Sequence, residues 1–255
     1  MANTTSVTIP EFKKEEIIVT IAGDCDLILC KMTDSAQTEI KDSQTKTGKS
    51  ASKAKEAINM FQRLIESVHW MDPVDASVTG EFEYVNLAGE KEKVDVSTCF
   101  DVDEKGKTIY SYTEQGWNYA LQNNRIGYDA SGIKKGLCDA AVRVLGESKS
   151  TIINANVQVI PEKRNLVPIE FKDNGFDESI ITNWKGNAFL TYRNVFNDWS
   201  AKFRIEYLPS NISMEQVIAL VQAMGFAGGI GAHRVGLKGG TNGKFHVAKV
   251  DKVIG

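Results

Sequence analysis

The chain has 255 residues, 42% of them hydrophobic and 25% charged, which is the composition of an ordinary globular protein long enough to bury a core. It has no apolar run near the roughly 20 residues of a membrane span, no apolar signal segment and no CxxC pair, so neither a membrane contact nor a structural zinc site is expected. The net charge of −3 is unevenly divided, because residues 1–183 have a balance of −8 and residues 184–255 one of +5. This division indicates a directional electrostatic surface and argues against a uniformly basic nucleic-acid coat.

The N-terminal half is predicted to combine strands with one long helix. The first strand is Ile17–Ala22, and the polar stretch 33–52 is predicted to be a mobile loop. An apolar stripe at helical spacing then predicts a core-packed helix over Ser52–Val68. Three further strands are expected at Ser77–Val85, Lys93–Cys99 and Lys107–Tyr112.

The C-terminal half begins with a helix predicted over Ala130–Leu145. Two β-rich runs, Thr151–Ile160 and Leu166–Phe171, are expected to pair as a hairpin or as neighbouring strands. In the strand Trp199–Leu208 every second residue is apolar, which predicts one packed face and one solvated face. Trp199 itself is expected in the core.

Ser213 and Gln216 fit a capping box at the start of the next helix, which Gly225 is expected to end. Eight of the chain's 21 glycines lie within residues 224–247, and such a run is costly to order unless the backbone needs positive φ or close approach. Residues 199–250 thus run strand, helix, glycine-rich crossover, strand. A similar order near the start predicts one α+β domain of the ferredoxin-like kind, an antiparallel sheet with helices on one face, elaborated by extra strands.

The C-terminal pattern resembles a poorly characterised bacteriophage protein family over about residues 120–250. The resemblance consists of Trp199 in a strand, a capped helix, Gly-Gly-Ile-Gly-x-x-Arg-x-Gly and then Gly-x-Phe-x-Val. Where that family has Trp-Arg-Pro, this chain has His233-Arg234-Val235, so only the arginine is retained. The resemblance implies a phage protein, and its expected location is the cytoplasm of the host cell.

More distantly, a ferredoxin-like unit with a glycine-rich C-terminal loop is similar to the RAMP proteins (repeat-associated mysterious proteins), which form the RNA-binding backbone of CRISPR effector complexes. This similarity implies binding of RNA or of a single strand, often in oligomers and without catalysis.

The glycine-rich stretch is the strongest candidate for a binding site. It is not a P-loop, because no Gly-Lys-Ser/Thr opens a helix, and it is not a dinucleotide fingerprint, because it follows a helix instead of a strand. A backbone with few side chains and spaced cations is suited to neutralise phosphates, and a mobile hairpin with incidental lysines is the alternative. The predicted nucleic-acid or phosphate-binding residues are Gly229, Gly231, His233, Arg234, Lys238 and Lys244, with Arg193, Lys202 and Arg204 extending the patch from neighbouring strands.

Catalysis is not favoured by the pattern of polar residues. His233 and His246 are the candidates for acid–base chemistry near the glycines, whereas His69 is distant in sequence. No Ser-His-Asp or Cys-His arrangement is evident, so no catalytic residue, metal or cofactor is expected. The sequence favours a non-catalytic phage accessory protein that binds single-stranded DNA or RNA. The alternatives are a structural or sequestering homo-oligomer that binds a small nucleotide or a protein, and a nuclease.

Overall fold

The structure is a computed structural model that describes residues 13–31, 59–144, 146, 150–182, 188–237 and 239–253. The strands are β1 (Glu15–Gly23), β2 (Leu27–Leu29), β3 (His69–Trp70), β4 (Glu81–Val85), β5 (Lys91–Asp95), β6 (Phe100–Val102), β7 (Thr108–Tyr110), β8 (Ile126–Asp129), β9 (Val157–Ile160), β10 (Leu166–Glu170), β11 (Asp173–Thr182), β12 (Ala188–Asn197), β13 (Ser200–Tyr207) and β14 (Phe245–Lys252). The helices are α1 (Met60–Glu66), α2 (Glu114–Asn123), α3 (Ala130–Arg143), α4 (Ser150–Asn156) and α5 (Met214–Ala223).

A seven-stranded antiparallel sheet forms the centre of the fold. Six of its strands follow the order β14-β1-β13-β10-β8-β3, and the seventh, β9, pairs with β13 outside this order. Strands β9 and β10 both pair with β13, β9 near its C-terminal end and β10 near its N-terminal end. Strand β1 lies between β13 and β14 and buries Ile17, Val19 and Ile21. Since β13 and β14 each run antiparallel to β1, they are parallel to each other and are connected through α5.

The predicted alternation of β13 is confirmed. Ala201, Phe203, Ile205 and Tyr207 are buried, whereas Lys202 is exposed on the other face. The buried face joins one hydrophobic core with the apolar sides of α3 and α5, which pack against each other. The capping box at the start of α5 and the burial of Trp199 are also as predicted.

The helices α1 and α2 and the hairpins β4–β5 and β6–β7 form a part of the chain between β2 and β8 that we call the N-terminal insertion. A second sheet, β11-β12-β2, connects the core to this insertion through a buried asparagine. Trp117 Nε1 of α2 donates to Asn194 Oδ1 at 2.8 Å, and Asn194 Nδ2 donates to Leu64 O at 2.7 Å and Ser67 Oγ at 3.0 Å. These bonds satisfy a polar side chain that is fully buried, which fixes β12 against α1 and α2. Two small hairpins, β4–β5 and β6–β7, complete the insertion.

Several predicted elements differ from the structure. Residues 150–156 form helix α4, so the predicted strand Thr151–Ile160 is reduced to β9. Strands β9 and β10 pair with β13 and not as a hairpin, because β13 offers its long edge to both. The segment Val96–Cys99, predicted as a strand end, is a short 3₁₀ helix, and α2 was not predicted. The loop predicted over residues 33–52 lies outside the described residues, as do residues 52–58 of the predicted helix Ser52–Val68.

The fold class is therefore α+β with antiparallel sheets. Among the described residues, no helix combines the length and the apolarity needed to cross a membrane.

Candidate functional site

Helix α5 does not end at Gly225. It continues as a π-helix over Met224–Gly228, and Gly229, with a φ of 61°, ends it. A Cβ at Gly225 would overlap the carbonyl oxygen of Phe245, so this glycine permits the close approach of β14. The prediction that Gly225 caps the helix was therefore wrong.

The glycine segment, which we define as residues 224–237 and 239–244, is held in place by main-chain hydrogen bonds. Ala232 N donates to the carbonyl oxygen of Ile28 in β2 at 2.7 Å, and Gly243 N donates to that of Asp26 at 2.8 Å. Within the segment, Ile230 N donates to the carbonyl oxygen of Gly243 at 3.0 Å. These bonds tie the segment to β2 and to the turn between β1 and β2.

Two adjoining cavities lie between the glycine segment and helix α3. The first has a volume of about 360 Å³ and extends to the ends of β2 and α1. The second, of about 210 Å³, follows α3 toward its C-terminus. Tyr128, Gly132, Lys135 and Arg234 line both cavities, which together form one feature that we call the groove.

Positive charge is in excess along the groove. The side chains of Lys135, Arg143 and Arg234 make no hydrogen bond or ion pair with any other residue that the structure describes, so their charges are available to a ligand. A guanidinium or ammonium group without a protein partner beside a concave surface is suited to bind an anion. The lysines and arginines on the lining are Lys31, Lys135, Arg143 and Arg234, and the carboxylates are Asp129 and Asp139.

Helix α3 contributes two glycines that sequence reasoning did not use. A Cβ at Gly132 would lie 3.1 Å from Cε1 of the Tyr128 ring, and one at Gly136 would lie 2.8 Å from Sδ of Met224. A glycine inside a helix costs up to about 1 kcal/mol relative to alanine, so two of them one turn apart signal a close approach. That spacing, with Lys135 next to Gly136, was the signal by which the groove could have been found.

An exposed aromatic side chain stands beside the groove. Phe226, in the π-helix next to Ala227 of the second cavity, is 67% exposed. The Nζ atom of Lys244 lies 5.2 Å from its ring centroid in a cation–π arrangement. An exposed ring beside the second cavity is within reach of a ligand in the groove, and this residue was absent from the sequence prediction.

Arg193 does not belong to the groove. It lies on β12, in the second sheet, and is buried, with Nη1 donating to Ser179 Oγ at 2.8 Å and lying 3.7 Å from Asp177 Oδ2. The predicted neighbourhood with β13 was wrong, because β12 pairs with β11 and β2.

Lys202 and Arg204 lie on the solvated face of β13, opposite the core, and line neither cavity of the groove. Arg204 donates from Nε and Nη2 to the two carboxylate oxygens of Glu16, at 2.5 and 2.7 Å. These bonds lower the pKa of Glu16, and they pair the Arg204 guanidinium with a carboxylate of the protein itself. Among the predicted cations, therefore, Arg234 and Lys244 are near the groove, and Lys238 lies outside the described residues.

The three histidines occupy different places. His233 is exposed with a φ of 50°, and its carbonyl oxygen accepts hydrogen bonds from Thr241 N and Asn242 N. His246 lies on β14 with Nδ1 at 2.6 Å from Asp24 Oδ1. His69, set aside for its distance in sequence, lines the first cavity. In the described ranges, no three His, Cys, Asp or Glu side chains gather as a metal site would require.

The predicted glycines at the groove behave as structural elements. Gly231 has a φ of 83°, and its N–H points to the Tyr128 hydroxyl at 3.4 Å. A Cβ at Gly231 would lie 2.5 Å from the carbonyl oxygen of Ile28, so only glycine fits. Gly231 thus lets the main chain approach β2, and Gly229, whose Cβ would lie 2.9 Å from the carbonyl oxygen of Gly243, lets it approach the end of the glycine segment.

The fold and the groove define the chain as an α+β protein with a cationic groove beside a glycine-rich crossover. No protein-family model matches the sequence, and a search of curated proteins found no significant match.

Proposed function

We propose that the protein binds single-stranded DNA or RNA in the groove without catalysing a reaction, as a phage accessory protein in the host cytoplasm. The observation on which the proposal depends is the set of three cations, Lys135, Arg143 and Arg234, that line one groove and have no partner among the described residues. Cations along a concave surface can neutralise the phosphates of a bound strand, and this neutralisation supplies most of the sequence-independent affinity for nucleic acid.

The aromatic groups favour a single strand over a duplex. Bases of a single strand are free to stack on side chains, whereas those of a duplex are already stacked. Tyr128 lines the whole groove, and Phe226 is exposed at its edge. Phosphate-binding cations with interspersed aromatic rings are the combination that single-strand binders use.

The strand order supports a ferredoxin-like, RAMP-like assignment of the fold. Along the chain, β1, α3, the pair β9 and β10, β13, α5 and β14 follow the order strand, helix, strand, strand, helix, strand. In the sheet, β14 and β13 flank β1, and β9 and β10 follow on the far side of β13. This order is the one expected of a split βαβ arrangement, and we assign β8, β3 and the insertion as its elaborations.

Arg234→Ala tests the proposal. Since phosphate contacts position a strand without specifying bases, the variant should bind all single-stranded sequences more weakly, with the slope of log K against log salt reduced by about one. Its free energy of unfolding should change by less than about 0.5 kcal/mol, because the side chain has no partner among the described residues. Fluorescence anisotropy of labelled oligonucleotides across a salt series measures the affinity and its salt slope.

Lys202→Ala is the matched control. Lys202 is an exposed cation on the opposite face of the main sheet, so its removal should leave the salt slope unchanged. Equal losses for both variants would mean that binding is not centred on the groove. Absence of any binding to single-stranded DNA or RNA at low salt would refute the proposed function.

A further inference from the structure

The first cavity is larger than a strand of phosphates requires. Its volume of about 360 Å³ falls within the range of about 300–1,000 Å³ that small-molecule sites occupy. Four segments of the chain meet around it, namely the end of β2, the turn after α1, the β8–α3 junction and the glycine segment. A cavity at such a junction can enclose part of a ligand, whereas the second cavity is smaller, at about 210 Å³, and lies between α3 and the glycine segment.

The lining of the first cavity combines an aromatic ring with fixed polar groups. Tyr128 contributes its ring, and Gly132 leaves the space beside that ring free of a side chain. Asp129 Oδ1 accepts hydrogen bonds from Ser131 N at 2.9 Å and Asn165 Nδ2 at 2.6 Å, so the carboxylate is held in position. Its Oδ2 atom makes no hydrogen bond with any residue that the structure describes, and it can accept one from a ligand.

The cations are located at the boundary between the two cavities. Lys135 and Arg234 line both of them, so an anion between these residues would stand at the mouth of the first cavity. An aromatic ring, a fixed acceptor and an adjacent anion site match the three parts of a nucleotide, which are a π-face, N–H groups on the base edge and a phosphate.

We propose that the first cavity takes up one unstacked nucleotide of the bound strand, with its base beside Tyr128 and its phosphate between Lys135 and Arg234. This inference rests on the proposed function and adds a base pocket to it. It also predicts that a free nucleoside monophosphate binds at the same place, since a pocket that encloses the base does not need the rest of the strand.

Cys30 provides a chemical probe of the cavity. Its thiol is exposed and lines the first cavity, whereas Cys138 is partly buried and lines neither cavity. N-ethylmaleimide should therefore react with Cys30 in the full-length protein, and peptide mass spectrometry resolves the two sites. With 5′-AMP at about nine times its Kd, the reaction at Cys30 should slow about tenfold, because the free fraction of cavity is 1/(1 + [L]/Kd). The Cys138 rate should not change.

Inorganic phosphate and a labelled oligonucleotide separate the possible outcomes. Phosphate at the same concentration should protect Cys30 much less than 5′-AMP, and equal protection would mean that the cavity holds only an anion. If the oligonucleotide binds by anisotropy but Cys30 reacts at an unchanged rate in its presence and in that of 5′-AMP, the base pocket is refuted and the proposed function stands. If no oligonucleotide binds, the proposed function fails and this inference fails with it.

Two substitutions at Cys30 give an independent test. Cys30→Trp places an indole in the cavity, so it should abolish 5′-AMP binding by calorimetry while the protein still binds oligonucleotides through the cations of the second cavity. Cys30→Ser changes the volume little and should bind 5′-AMP as the unmodified protein does. Normal 5′-AMP binding by Cys30→Trp, with its fold intact by circular dichroism, would overturn the assignment.

Discussion

Gly132 and Gly136 set the width of the groove at the scale of single residues. A side chain at Gly136 would displace Met224 of the π-helix, and one at Gly132 would press on the Tyr128 ring. Either change would alter the packing of α3 against its neighbours beside the groove. The site thus depends on positions without side chains as well as on Lys135 and Arg234.

Phe226→Ala is the sharpest test of single-strand binding at this scale. Loss of a stacking ring should weaken binding of a single-stranded oligonucleotide by about 1–3 kcal/mol, or about five- to 150-fold. The salt slope should stay unchanged, in contrast to Arg234→Ala, because no charge is removed. Anisotropy titrations with single-stranded and duplex DNA of equal length measure the effect, and duplex binding should not respond.

Val102→Ala is the matched control for an exposed apolar side chain. Val102 is 62% exposed, and it lies on β6 in the insertion, away from the groove. The Val102→Ala variant should leave the affinities for single-stranded and duplex DNA unaltered. Equal losses for single strand and duplex with Phe226→Ala would mean that the ring supports Lys244 and does not stack on bases.

At the scale of elements, Asp72 connects three segments that the sequence separates widely. Its carboxylate accepts from Arg125 Nε, just before β8, at 3.1 Å and from Lys163 Nζ, in the β9–β10 turn, at 2.8 Å. The hydrogen bond from Arg125, followed by that from Lys163, lowers the pKa of Asp72 to about 2. The turn after β3 is thereby attached to the strands beside it.

Asp72→Asn should lower the free energy of unfolding by about 1 kcal/mol at neutral pH, a value discounted because the side chain is 36% exposed. The folded-state pKa is depressed, so the stabilisation is present above the unfolded value near 4 and is lost as the pH falls through about 2. The difference between the two proteins should therefore shrink below about pH 4. Urea unfolding at a series of pH values measures it.

Glu83→Gln is the control for this prediction. Glu83 and Lys91 form an exposed pair 3.6 Å apart, with side chains 58% and 78% exposed. Such a pair should contribute less than about 0.5 kcal/mol at any pH. A difference for Asp72→Asn that persists unchanged to about pH 2 would show that the carboxylate charge is not its cause.

At the scale of the whole molecule, the division of charge leaves a second hypothesis in place. The acidic N-terminal part and the basic C-terminal part could pair head to tail between copies and build rings or filaments. The edge strand β14 does not favour such growth by sheet extension, since it carries Lys249, Asp251 and Lys252. Its Val247 N–H is already bonded to Gln222 Oε1 at 3.0 Å.

We accordingly expect the free protein to be a monomer at micromolar concentration. Light scattering coupled to size-exclusion chromatography, at low and at moderate salt, measures the mass. A larger mass that falls as salt is added would support the sequestering oligomer, because surface charge pairing is screened. A mass that falls on addition of an oligonucleotide would mean that the groove is the oligomer contact.

The sequence by itself determined the features that depend on near neighbours in the chain. The alternation in β13, the capping box of α5 and the burial of Trp199 follow from local spacing, and the structure has all three. The concentration of glycines also located one wall of the groove, because backbone freedom on that scale indicates close approach wherever it occurs.

Only the tertiary structure decided which distant residues meet. Pairing of β12 with β2 buried Arg193 in another sheet, and the turn of β8 into α3 brought Lys135 and Arg143 opposite Arg234. Strand pairing and helix packing are set by the sum of many contacts across the core, which no local pattern encodes. The glycine-rich wall of the groove was therefore predicted, whereas the position of Lys135 and Arg143 opposite that wall depended on the packing of α3.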